Sequence, residues 1–332
     1  MRSGSDFYRD QTVLVTGGSG FVGSHLVREL REHGARVRVT RHRRPIERID
    51  PSLEVVDADL TREDDCRRAC RGVDFVFHAA GAVSSASTSG RAGMQAIKTN
   101  LVLTAQLIDA AWAEGVKRLL LFSSSTGYPP TDHPVREEEF WGGPPHPAYL
   151  GYGWMRRYLE RLAEFAASRS RMKIAIARPT AVYGPGDDFD PATGHVVPAL
   201  VRRSVEREDP FVVWGTGEEI RDFLHVRDLA RGCRLLLEKH AECDAVNLGY
   251  GKGTSIREVV RIVLDAAGHA TARVVFDPTR PTTIPVRLVD TAKASRLLGF
   301  EPAIALGEGL RETVRWFAEL TRHRMSGAGE WQ

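Results

Sequence analysis

A glycine-rich turn between a strand pattern and a helix pattern is the feature that most constrains the fold of this chain. Residues 12–16 (TVLVT) form a short β-branched run, and the turn that follows contains Gly17, Gly20 and Gly23 before a helical pattern over residues 22–33. Glycines permit a tight turn and let a helix pack closely against the preceding strand. The pattern therefore predicts a strand–turn–helix unit of a parallel sheet.

Strand and helix patterns alternate through the first half of the chain. Further strand patterns cover residues 36–40, 53–56, 75–78 and 119–123, and helical patterns cover 96–114 and 152–168. Such alternation is typical of right-handed βαβ units, whose helices cover both faces of the sheet. We predict an α/β fold built on a Rossmann-type, doubly wound parallel sheet.

Composition and charge argue against several other classes of protein. The 332 residues are 42% apolar and 27% charged, which predicts a packed globular fold. The net charge of +3 is distributed among interleaved acids and bases, so no nucleic-acid-binding face is expected. No signal-peptide core or membrane-spanning stretch is evident, and a cytoplasmic location without membrane contact is the default expectation.

Four cysteines occur without the paired spacing of a metal site. They are Cys66, Cys70, Cys233 and Cys243. Such an arrangement is typical of reduced thiols in a cytoplasmic protein. We therefore expect neither disulfides nor a bound metal.

The same glycine-rich turn also predicts a dinucleotide site. Glycines let the backbone approach a pyrophosphate, and the N-terminus of the following helix opposes its charge. An NAD site commonly has an acidic residue at the end of the second strand, but residues 40–43 here read Thr-Arg-His-Arg. The guanidinium groups of Arg41 and Arg43 suit a 2′-phosphate, so NADP(H) is favoured and NAD(H) is the alternative. A solvated surface loop is the competing interpretation of this basic cluster.

After Pro179 the pattern changes, which predicts a smaller α/β lobe that binds the substrate. A lobe placed at the carboxyl ends of the strands can close over ligands of an open α/β sheet. We expect the dinucleotide-binding domain at residues 8–183 with a return near 222–245, the substrate-binding lobe mainly at 184–221 and 246–325, and a flexible tail at 326–332.

Several short strings reveal a family resemblance that covers nearly the whole chain. They are TGGSGFVG at 16–23, Asp59-Leu60, HAAG at 78–81, Asn100, SSS at 123–125, Tyr152, ARPTAVYGPGD at 177–187 and IRDFLHVRDLA at 220–230. Together they resemble the extended short-chain dehydrogenases/reductases that act on nucleotide sugars. Residues 194–203 and 212–217 most resemble the GDP-fucose synthase (GDP-4-keto-6-deoxymannose epimerase/reductase) branch.

The resemblance implies a set of cofactor-binding residues. Asp59 would face the adenine, and residues 79–81 would line the cofactor cleft. The implied set is Gly17, Ser19, Gly20, Phe21, Val22, Gly23, Arg41, Arg43, Asp59, Leu60, Ala79, Ala80, Gly81, Asn100, Tyr152, Arg156 and Pro179.

By the same resemblance, Ser124 and Tyr152 are the catalytic hydroxyl groups. Hydride transfer at a sugar carbon requires a proton to move at the sugar oxygen, and a tyrosine can carry that proton while a serine holds the oxygen. Taken alone, a serine run is more often turn or strand-end structure, and a tyrosine on a helix is more often a packing residue; the glycine turn and the order of the motifs favour the catalytic interpretation. The family pattern YxxxK places a lysine where this chain has Arg156. Arginine keeps the positive charge that favours tyrosinate, although its broad fork is not equivalent to an ammonium.

Thr126 and His195 bear on which reaction this chain performs. GDP-fucose synthases carry the cysteine base of C3/C5 epimerisation at the place of Thr126, and threonine is no base at neutral pH. The 4,6-dehydratases carry acidic residues at the places of Ser125 and Thr126, so dehydration is not expected. Threonine here resembles the UDP-galactose 4-epimerases, which remove and return one hydride at C4. His195 matches the general acid of the GDP-fucose synthase branch, and a catalytic and a structural role both remain open.

Two arginines are implied to bind the substrate. Arg221 and Arg287 occupy places where the family binds the nucleotide diphosphate, while a surface ion pair is the competing interpretation for each. Ser125 and Val197 complete the expected substrate-binding set. The resemblance also implies a homodimer formed through the helices near 96–114 and 152–168.

Three functions follow from these residues. The first is an NAD(P)-dependent nucleotide-sugar epimerase, on a GDP-hexose, that works through a transient keto sugar. The alternative is an NADPH-dependent reductase of a nucleotide 4-keto-sugar. The third is a weakly catalytic protein that binds a dinucleotide or sugar, motivated by Arg156 in place of lysine.

Overall fold

The computed structural model describes residues 6–42, 53–82 and 91–325, apart from positions 192, 281 and 283. Its strands are β1 Thr12–Thr16, β2 Arg36–Arg41, β3 Glu54–Asp57, β4 Phe75–His78, β5 Arg118–Phe122, β6 Lys173–Pro179, β7 Ala181–Tyr183, β8 Phe211–Trp214, β9 Ile220–His225, β10 Val246–Leu248, β11 Gly253–Ser255, β12 Val274–Asp277 and β13 Val286–Arg287. Its α-helices are α1 Phe21–Glu32, α2 Glu63–Cys70, α3 Arg91–Ala113, α4 Leu150–Arg169, α5 Val196–Val205, α6 Val226–Lys239, α7 Ile256–Ala266, α8 Ala292–Leu298 and α9 Leu306–Met325.

Seven parallel strands form the main sheet, in the order β10-β6-β5-β4-β1-β2-β3. Apolar residues of α1 and α6 pack on one face of the sheet, and those of α2, α3 and α4 pack on the other. The strand order reverses between β1 and β4, which creates a crevice at the carboxyl ends of these strands. The predicted Rossmann-type, doubly wound sheet is therefore confirmed.

A smaller lobe follows β6. It contains a sheet in which β7, β11 and β13 all pair with β9, and a two-stranded sheet of β8 and β12. Apolar residues of α5, α7 and α9 form a separate core with these strands. This lobe matches the smaller α/β unit expected after Pro179.

The expected return near 222–245 contains α6, which packs on the main sheet together with α1. The first residues of this range belong to β9, which pairs within the lobe, and β10, just past the range, adds to the main sheet beside β6. Helix α8 then packs on α6 and β10. A three-residue strand has too little periodicity to be recognised, so its partner is known only from the tertiary structure. The predicted tail at 326–332 lies outside the described residues.

Cysteine placement agrees with the expected reduced thiols. The thiols of Cys66, Cys70, Cys233 and Cys243 are all free. Within the described ranges, no group of His, Cys, Asp and Glu side chains is arranged to hold a metal ion. In the same ranges, no helix is both long and apolar enough to cross a bilayer.

Candidate active site

The turn after β1 is packed so tightly that it requires glycine. A Cβ atom at Gly23 would lie 2.1 Å from the carbonyl oxygen of Gly17, and one at Gly17 would lie 2.9 Å from Cα of Ala80. Gly17 also has a φ of +67°, in the left-handed region. The N–H of Gly20 donates to the Gly17 carbonyl oxygen at 2.9 Å and closes the turn. Bare backbone is thus presented at the end of β1.

Helix α1 begins at this turn with an uncapped N-terminus. Its N-cap is Gly20, and no side chain makes a capping hydrogen bond. Free first-turn N–H groups and the helix dipole favour an anion at this position. Ser19, Phe21 and Val22, which the resemblance implies as cofactor residues, lie at this turn and are partly accessible. The glycine cradle and the open helix end fit the pyrophosphate of NAD(P).

The segment after β4 forms the neighbouring wall of the turn. Ala80 donates its N–H to Oγ1 of Thr16 at 3.1 Å. Asn100 accepts a hydrogen bond from the Ala82 N–H at 2.9 Å and donates one to the Ala82 carbonyl oxygen at 2.8 Å. Because Asn100 is buried, its amide fixes the wall that includes Gly81.

His78 supports this wall from below, although it is absent from the predicted site residues. Its Nδ1 lies 2.8 Å from Oγ1 of Thr16, and its Nε2 lies 3.1 Å from Oγ1 of Thr104. Burial, with a smaller effect of the Arg156 charge, lowers the pKa of His78 to about 3, so the ring is neutral. A buried histidine needs hydrogen-bond partners. The histidine of the HAAG string at 78–81 was therefore a sequence signal for a residue that supports this wall.

Asp59, Leu60 and Pro179 also lie near the carboxyl ends of main-sheet strands. Asp59 follows β3 and accepts hydrogen bonds from the N–H and hydroxyl of Thr61 at 3.0 and 2.7 Å. Leu60 is buried, and Pro179 is the last residue of β6. The edge of the sheet where a dinucleotide is expected thus includes all three.

Arg41 ends β2 and forms a two-point ion pair with Asp57, which ends β3. The Nε–Oδ1 distance is 2.5 Å and the Nη2–Oδ2 distance is 2.7 Å. The two residues are register partners on adjacent parallel strands. The sequence at the end of β2 contains no carboxylate, but the neighbouring strand supplies one. Arg43, the other predicted 2′-phosphate ligand, lies outside the described residues.

The hydroxyl oxygen of Ser124 accepts two hydrogen bonds from Thr126. Thr126 donates its N–H at 3.1 Å and its hydroxyl at 3.0 Å. A serine hydroxyl has two acceptor lone pairs and one hydrogen to donate. Because Thr126 occupies both lone pairs, the hydrogen of the Ser124 hydroxyl is left to donate to a ligand. Thr126 therefore orients Ser124.

On α4, Arg156 connects the phenol of Tyr152 to the end of β5. Its Nη2 donates to the Tyr152 hydroxyl oxygen at 2.5 Å, and its Nη1 donates to the Phe122 carbonyl oxygen at 2.7 Å. The i, i+4 spacing places both side chains on one face of the helix. An arginine fork reaches both acceptors at once, which a lysine ammonium does less directly. A fixed positive charge therefore contacts the phenol oxygen.

Helix α4 packs directly against the turn that carries Ser124. A Cβ atom at Gly153 would lie 2.7 Å from the carbonyl oxygen of Thr126. Glycine at this position, next to Tyr152, lets the two hydroxyl-bearing segments approach each other. The structure thus brings together four of the five predicted catalytic residues. They are Ser124, Thr126, Tyr152 and Arg156.

Replacing Thr126 with valine is expected to lower kcat by about 5- to 10-fold, the equivalent of one neutral hydrogen bond. Valine keeps the shape of threonine but donates nothing from its side chain to Ser124. Thr126→Ser keeps the hydroxyl and is the matched control. Steady-state kinetics of both variants measure the effect, and equal kcat values for valine and serine would contradict this orienting role.

The two arginines implied to bind the substrate face each other across adjacent strands. Arg221 on β9 and Arg287 on β13 are register partners. Burial lowers the pKa of Arg287 to about 10, an effect that Tyr149 opposes and the Arg221 charge reinforces. Arg287 also lines a narrow cleft with Ser125 and Tyr128. The turn after β5 and the β13 segment therefore meet in one cleft.

His195 and Val197 lie at the start of α5. Val197 is 2% exposed in the core of the lobe, so its side chain packs within the fold. His195 is the N-cap of α5, and its imidazole makes no capping hydrogen bond. The surrounding loop partly desolvates the ring and lowers the pKa of His195. Among the described residues, neither side chain hydrogen-bonds to Ser124 or Tyr152.

Comparison with protein-family models identifies the family that shares this architecture. The model of the NAD dependent epimerase/dehydratase family matches residues 13–249, which include the glycine turn and both hydroxyl-bearing segments. The chain belongs to this family. The predicted resemblance to the extended short-chain dehydrogenases/reductases is confirmed.

Curated relatives match this epimerase/dehydratase family chain over nearly its whole length. The dTDP-4-dehydro-6-deoxy-D-allose reductase of Streptomyces bikiniensis is 33% identical over 333 residues, covering 96% of this chain and 99% of the relative. The GDP-L-fucose synthase of Escherichia coli (strain K12) is 30% identical over 93% of this chain and 97% of the relative.

Solved structures lead to the same family. The UDP-glucose 4-epimerase of Thermotoga maritima, solved with UDP-glucose, has a TM-score of 0.84 and 29% identity, covering 94% of this chain and 100% of that one. The Thermus thermophilus UDP-glucose 4-epimerase complex with NAD has a TM-score of 0.81 and 27% identity, covering 96% and 100%. This member of the epimerase/dehydratase family is thus an NAD(P)-dependent enzyme of the nucleotide-sugar epimerase/reductase class.

Proposed function

We propose that this chain reduces the keto group of a nucleotide 4-keto-sugar with NADPH. The observation that carries the proposal is the hydroxyl pair, in which Ser124 retains a hydrogen to donate and Tyr152 contacts the charge of Arg156. Thr126 stands where the C3/C5-epimerising branch has its cysteine base, and its hydroxyl is engaged with Ser124. Similarity to the Streptomyces bikiniensis keto-sugar reductase supports reduction without prior epimerisation.

In this mechanism both hydroxyl groups act on the carbonyl oxygen of the sugar. When bound with its pyrophosphate at the glycine turn, NADPH would supply the hydride that reduces the carbonyl carbon. Ser124 donates a hydrogen bond to the carbonyl oxygen and polarises the C=O bond. Tyr152 transfers its phenolic proton to the same oxygen, which becomes a hydroxyl while the phenol becomes a phenolate. Arg156 stabilises that phenolate through its 2.5 Å hydrogen bond, and solvent then returns the proton.

NADP(H) is the proposed cofactor, with NAD(H) as the alternative. The ion pair between Arg41 and Asp57 is solvent-exposed, and exposed pairs contribute little to stability. A 2′-phosphate carries more negative charge than one carboxylate and accepts a bidentate contact, so it can replace Asp57 on the guanidinium.

We expect the wild type to bind NADP(H) about tenfold more tightly than NAD(H), and Arg41→Gln to remove most of this preference. Arg36→Gln is the matched control, since Arg36 begins the same strand and its guanidinium contacts Thr12. Calorimetric titration with each cofactor measures the affinities. Equal affinities of the wild type for the two cofactors would remove the proposed preference.

Arg221 and Arg287 are proposed to bind the diphosphate of the substrate. Like charges at directly paired strand positions repel each other. A diphosphate between the two guanidinium groups would neutralise that repulsion and accept bidentate hydrogen bonds. The relatives act on GDP- and dTDP-sugars by name, which keeps a GDP-hexose among the candidates. Titration with GDP-, UDP-, dTDP- and CDP-sugars identifies the base.

The proposed reaction is tested by supplying the enzyme with NADPH and GDP- or dTDP-linked 4-keto-6-deoxyhexoses. We expect one NADPH to be consumed for each keto sugar reduced, followed as loss of the nicotinamide absorbance band. Interconversion of nucleotide hexoses without net change in that band would contradict a reductase.

Interconversion of nucleotide hexoses without net change in the nicotinamide band would identify the other candidate, an epimerase that removes and returns one hydride. The specific observation in its favour is the similarity to UDP-glucose 4-epimerases, with a TM-score of 0.84. Binding of cofactor without turnover of any of these sugars would instead identify a weakly catalytic binding protein, as Arg156 in place of lysine suggests.

A homodimer through α3 and α4 is proposed as the state in solution. Helix α4 exposes Trp154, Tyr158 and Phe165 on one face, with 48%, 59% and 57% exposed area. Such spacing forms a continuous apolar stripe, and contiguous apolar patches of this kind mark interaction surfaces. We expect light scattering to give twice the mass of one chain.

Phe165→Glu is expected to shift that mass to one chain. Val275→Glu, at an exposed apolar position on β12 of the lobe, is the matched control and is expected to stay dimeric. A monomeric wild type would contradict the proposed assembly.

A further inference from the structure

Tyr149 makes a contact between the catalytic helix and the substrate lobe. It immediately precedes α4, three residues before Tyr152, and its N–H donates to the His146 carbonyl oxygen at 2.8 Å. The guanidinium carbon of Arg287 lies 4.5 Å from the centre of the Tyr149 ring. This separation is within the range of a cation–π interaction. A residue of the main domain therefore stacks on a residue of the lobe.

Arg287 depends on this ring for its position. Within the described part of the chain, the guanidinium of Arg287 has no carboxylate partner and no hydrogen bond to protein. Its strand, β13, has only two residues, so the backbone alone holds the side chain weakly. The contact with Tyr149 thus fixes the direction of a half-buried cation that no acid of the described residues pairs with.

The direction of the Arg287 side chain matters because of the register between β9 and β13. Arg221 and Arg287 are directly paired on parallel strands, and strands in a sheet lie about 4.8 Å apart. Arg221 is held by its Nη1, which donates to the carbonyl oxygens of Ile220 and Pro285 at 2.8 and 3.3 Å. Because like charges repel, Arg287 without a constraint of its own would turn away from Arg221. The ring of Tyr149 attracts Arg287 and opposes that separation.

We propose that Tyr149 is a positioning residue for substrate binding: its ring holds the Arg287 guanidinium beside Arg221, so that the two cations clamp one nucleoside diphosphate. The inference rests on the proposed function, which supplies a nucleotide-activated substrate. Because Tyr149 precedes the first turn of α4, the clamp is also connected to the helix that carries Tyr152. Occupation of the diphosphate site therefore orients the sugar relative to the phenol.

Two substitutions separate the ring from other properties of Tyr149. Tyr149→Phe keeps an aromatic face for Arg287 and removes only the hydroxyl, whereas Tyr149→Leu keeps apolar bulk without a π face. Loss of a cation–π interaction in a partly desolvated site corresponds to about 3- to 30-fold in affinity. We expect Tyr149→Leu to weaken nucleoside diphosphate binding by this factor and Tyr149→Phe to bind within about twofold of the wild type.

The probes are GDP, UDP and dTDP, titrated by calorimetry into the full chain, with the tightest used for the comparison. Arg287→Met is measured alone and with Tyr149→Leu. If Tyr149 acts through Arg287, Tyr149→Leu has no further effect when Arg287 is already absent. In turnover, the leucine variant raises KM with kcat nearly unchanged, and its unchanged NADP(H) affinity shows that it is folded.

Two results would overturn the inference and leave the proposed function intact. In the first, Tyr149→Leu binds the nucleoside diphosphate as tightly as the wild type does. In the second, Tyr149→Leu weakens diphosphate binding equally in the wild type and in Arg287→Met. If the wild type binds none of the three diphosphates, the proposed substrate class and the clamp fail together. Restoration of affinity by phenylalanine but not leucine supports the clamp.

Discussion

Replacing Tyr152 with phenylalanine is expected to lower kcat by about 10²- to 10⁴-fold, the usual contribution of a general acid. Phenylalanine keeps the ring on the Arg156 guanidinium, whose carbon lies 4.9 Å from the ring centre, but it has no proton to transfer. The fold and the glycine cradle are untouched, so NADP(H) affinity should stay close to that of the wild type. Steady-state rates and cofactor titration measure the two quantities separately.

The matched control is Tyr158→Phe on the same helix. Tyr158 is 59% exposed, and phenylalanine keeps the aromatic ring of the apolar stripe on α4, so removal of the hydroxyl is expected to leave kcat unchanged. Retention of more than about a tenth of the wild-type rate by Tyr152→Phe would contradict its role as proton donor.

Replacing Glu160 with alanine is expected to destabilise the fold by about 3–5 kcal/mol, the cost of breaking a buried ion pair at one partner. Glu160 on α4 and Arg178 on β6 are 2% and 3% exposed, and their two hydrogen bonds measure 2.9 and 2.7 Å. Burial alone would lower the pKa of Arg178, but the hydrogen bonds and charge of Glu160 raise it. Without Glu160, a guanidinium that stays charged would be left buried.

Other groups around Arg178 cannot replace that carboxylate. Arg178 donates to the Tyr128 hydroxyl oxygen at 3.1 Å and to the Glu137 carbonyl oxygen at 2.9 Å, both of which are neutral acceptors. Its guanidinium carbon lies 3.6 Å from the centre of the Phe140 ring. These contacts orient the cation, and among the described residues Glu160 is the carboxylate that forms an ion pair with it.

Urea unfolding of Glu160→Ala and of Glu164→Ala compares the buried pair with an exposed one on the same helix. Glu164 pairs with Arg161 at 2.5 Å, but both side chains face solvent. Exposed pairs contribute at most about 1 kcal/mol. Similar midpoints for the two variants would contradict the importance of the buried pair. Arg178 is next to Pro179 on β6, and Glu160 lies on the same helix as Tyr152. A loss of cofactor affinity in Glu160→Ala would therefore indicate that the buried pair also supports the cofactor site.

Much of the architecture could be predicted because it follows from the local periodicity of apolar residues. The strand patterns at 12–16 and 75–78 coincide with β1 and β4. Helices predicted at 22–33 and 152–168 are α1 and α4, with ends shifted by one or two residues. Backbone hydrogen bonds of helices are local, and the alternation of strands with helices restricts a parallel sheet to few topologies.

Residue types and short motifs also indicated the two hydroxyl groups and the basic residue on α4. The sequence could not show how they are joined. The hydrogen bonds from Thr126 to Ser124 form within one local turn and that from Arg156 to Tyr152 within α4, but the contact of Arg156 with the Phe122 carbonyl oxygen depends on distances between β5 and α4. Those distances are set by the packing of a helix against a turn.

The amino-acid sequence by itself determined the α/β class, the glycine cradle and the chemical types of the site residues, since each depends on neighbours within a few positions. Only the tertiary structure decided that Asp57 meets Arg41, that Arg221 pairs with Arg287 and that β10 joins the main sheet. These are register relations between residues 16 to 69 positions apart in the chain. Such relations arise from the packing of the whole core, and no local pattern specifies them.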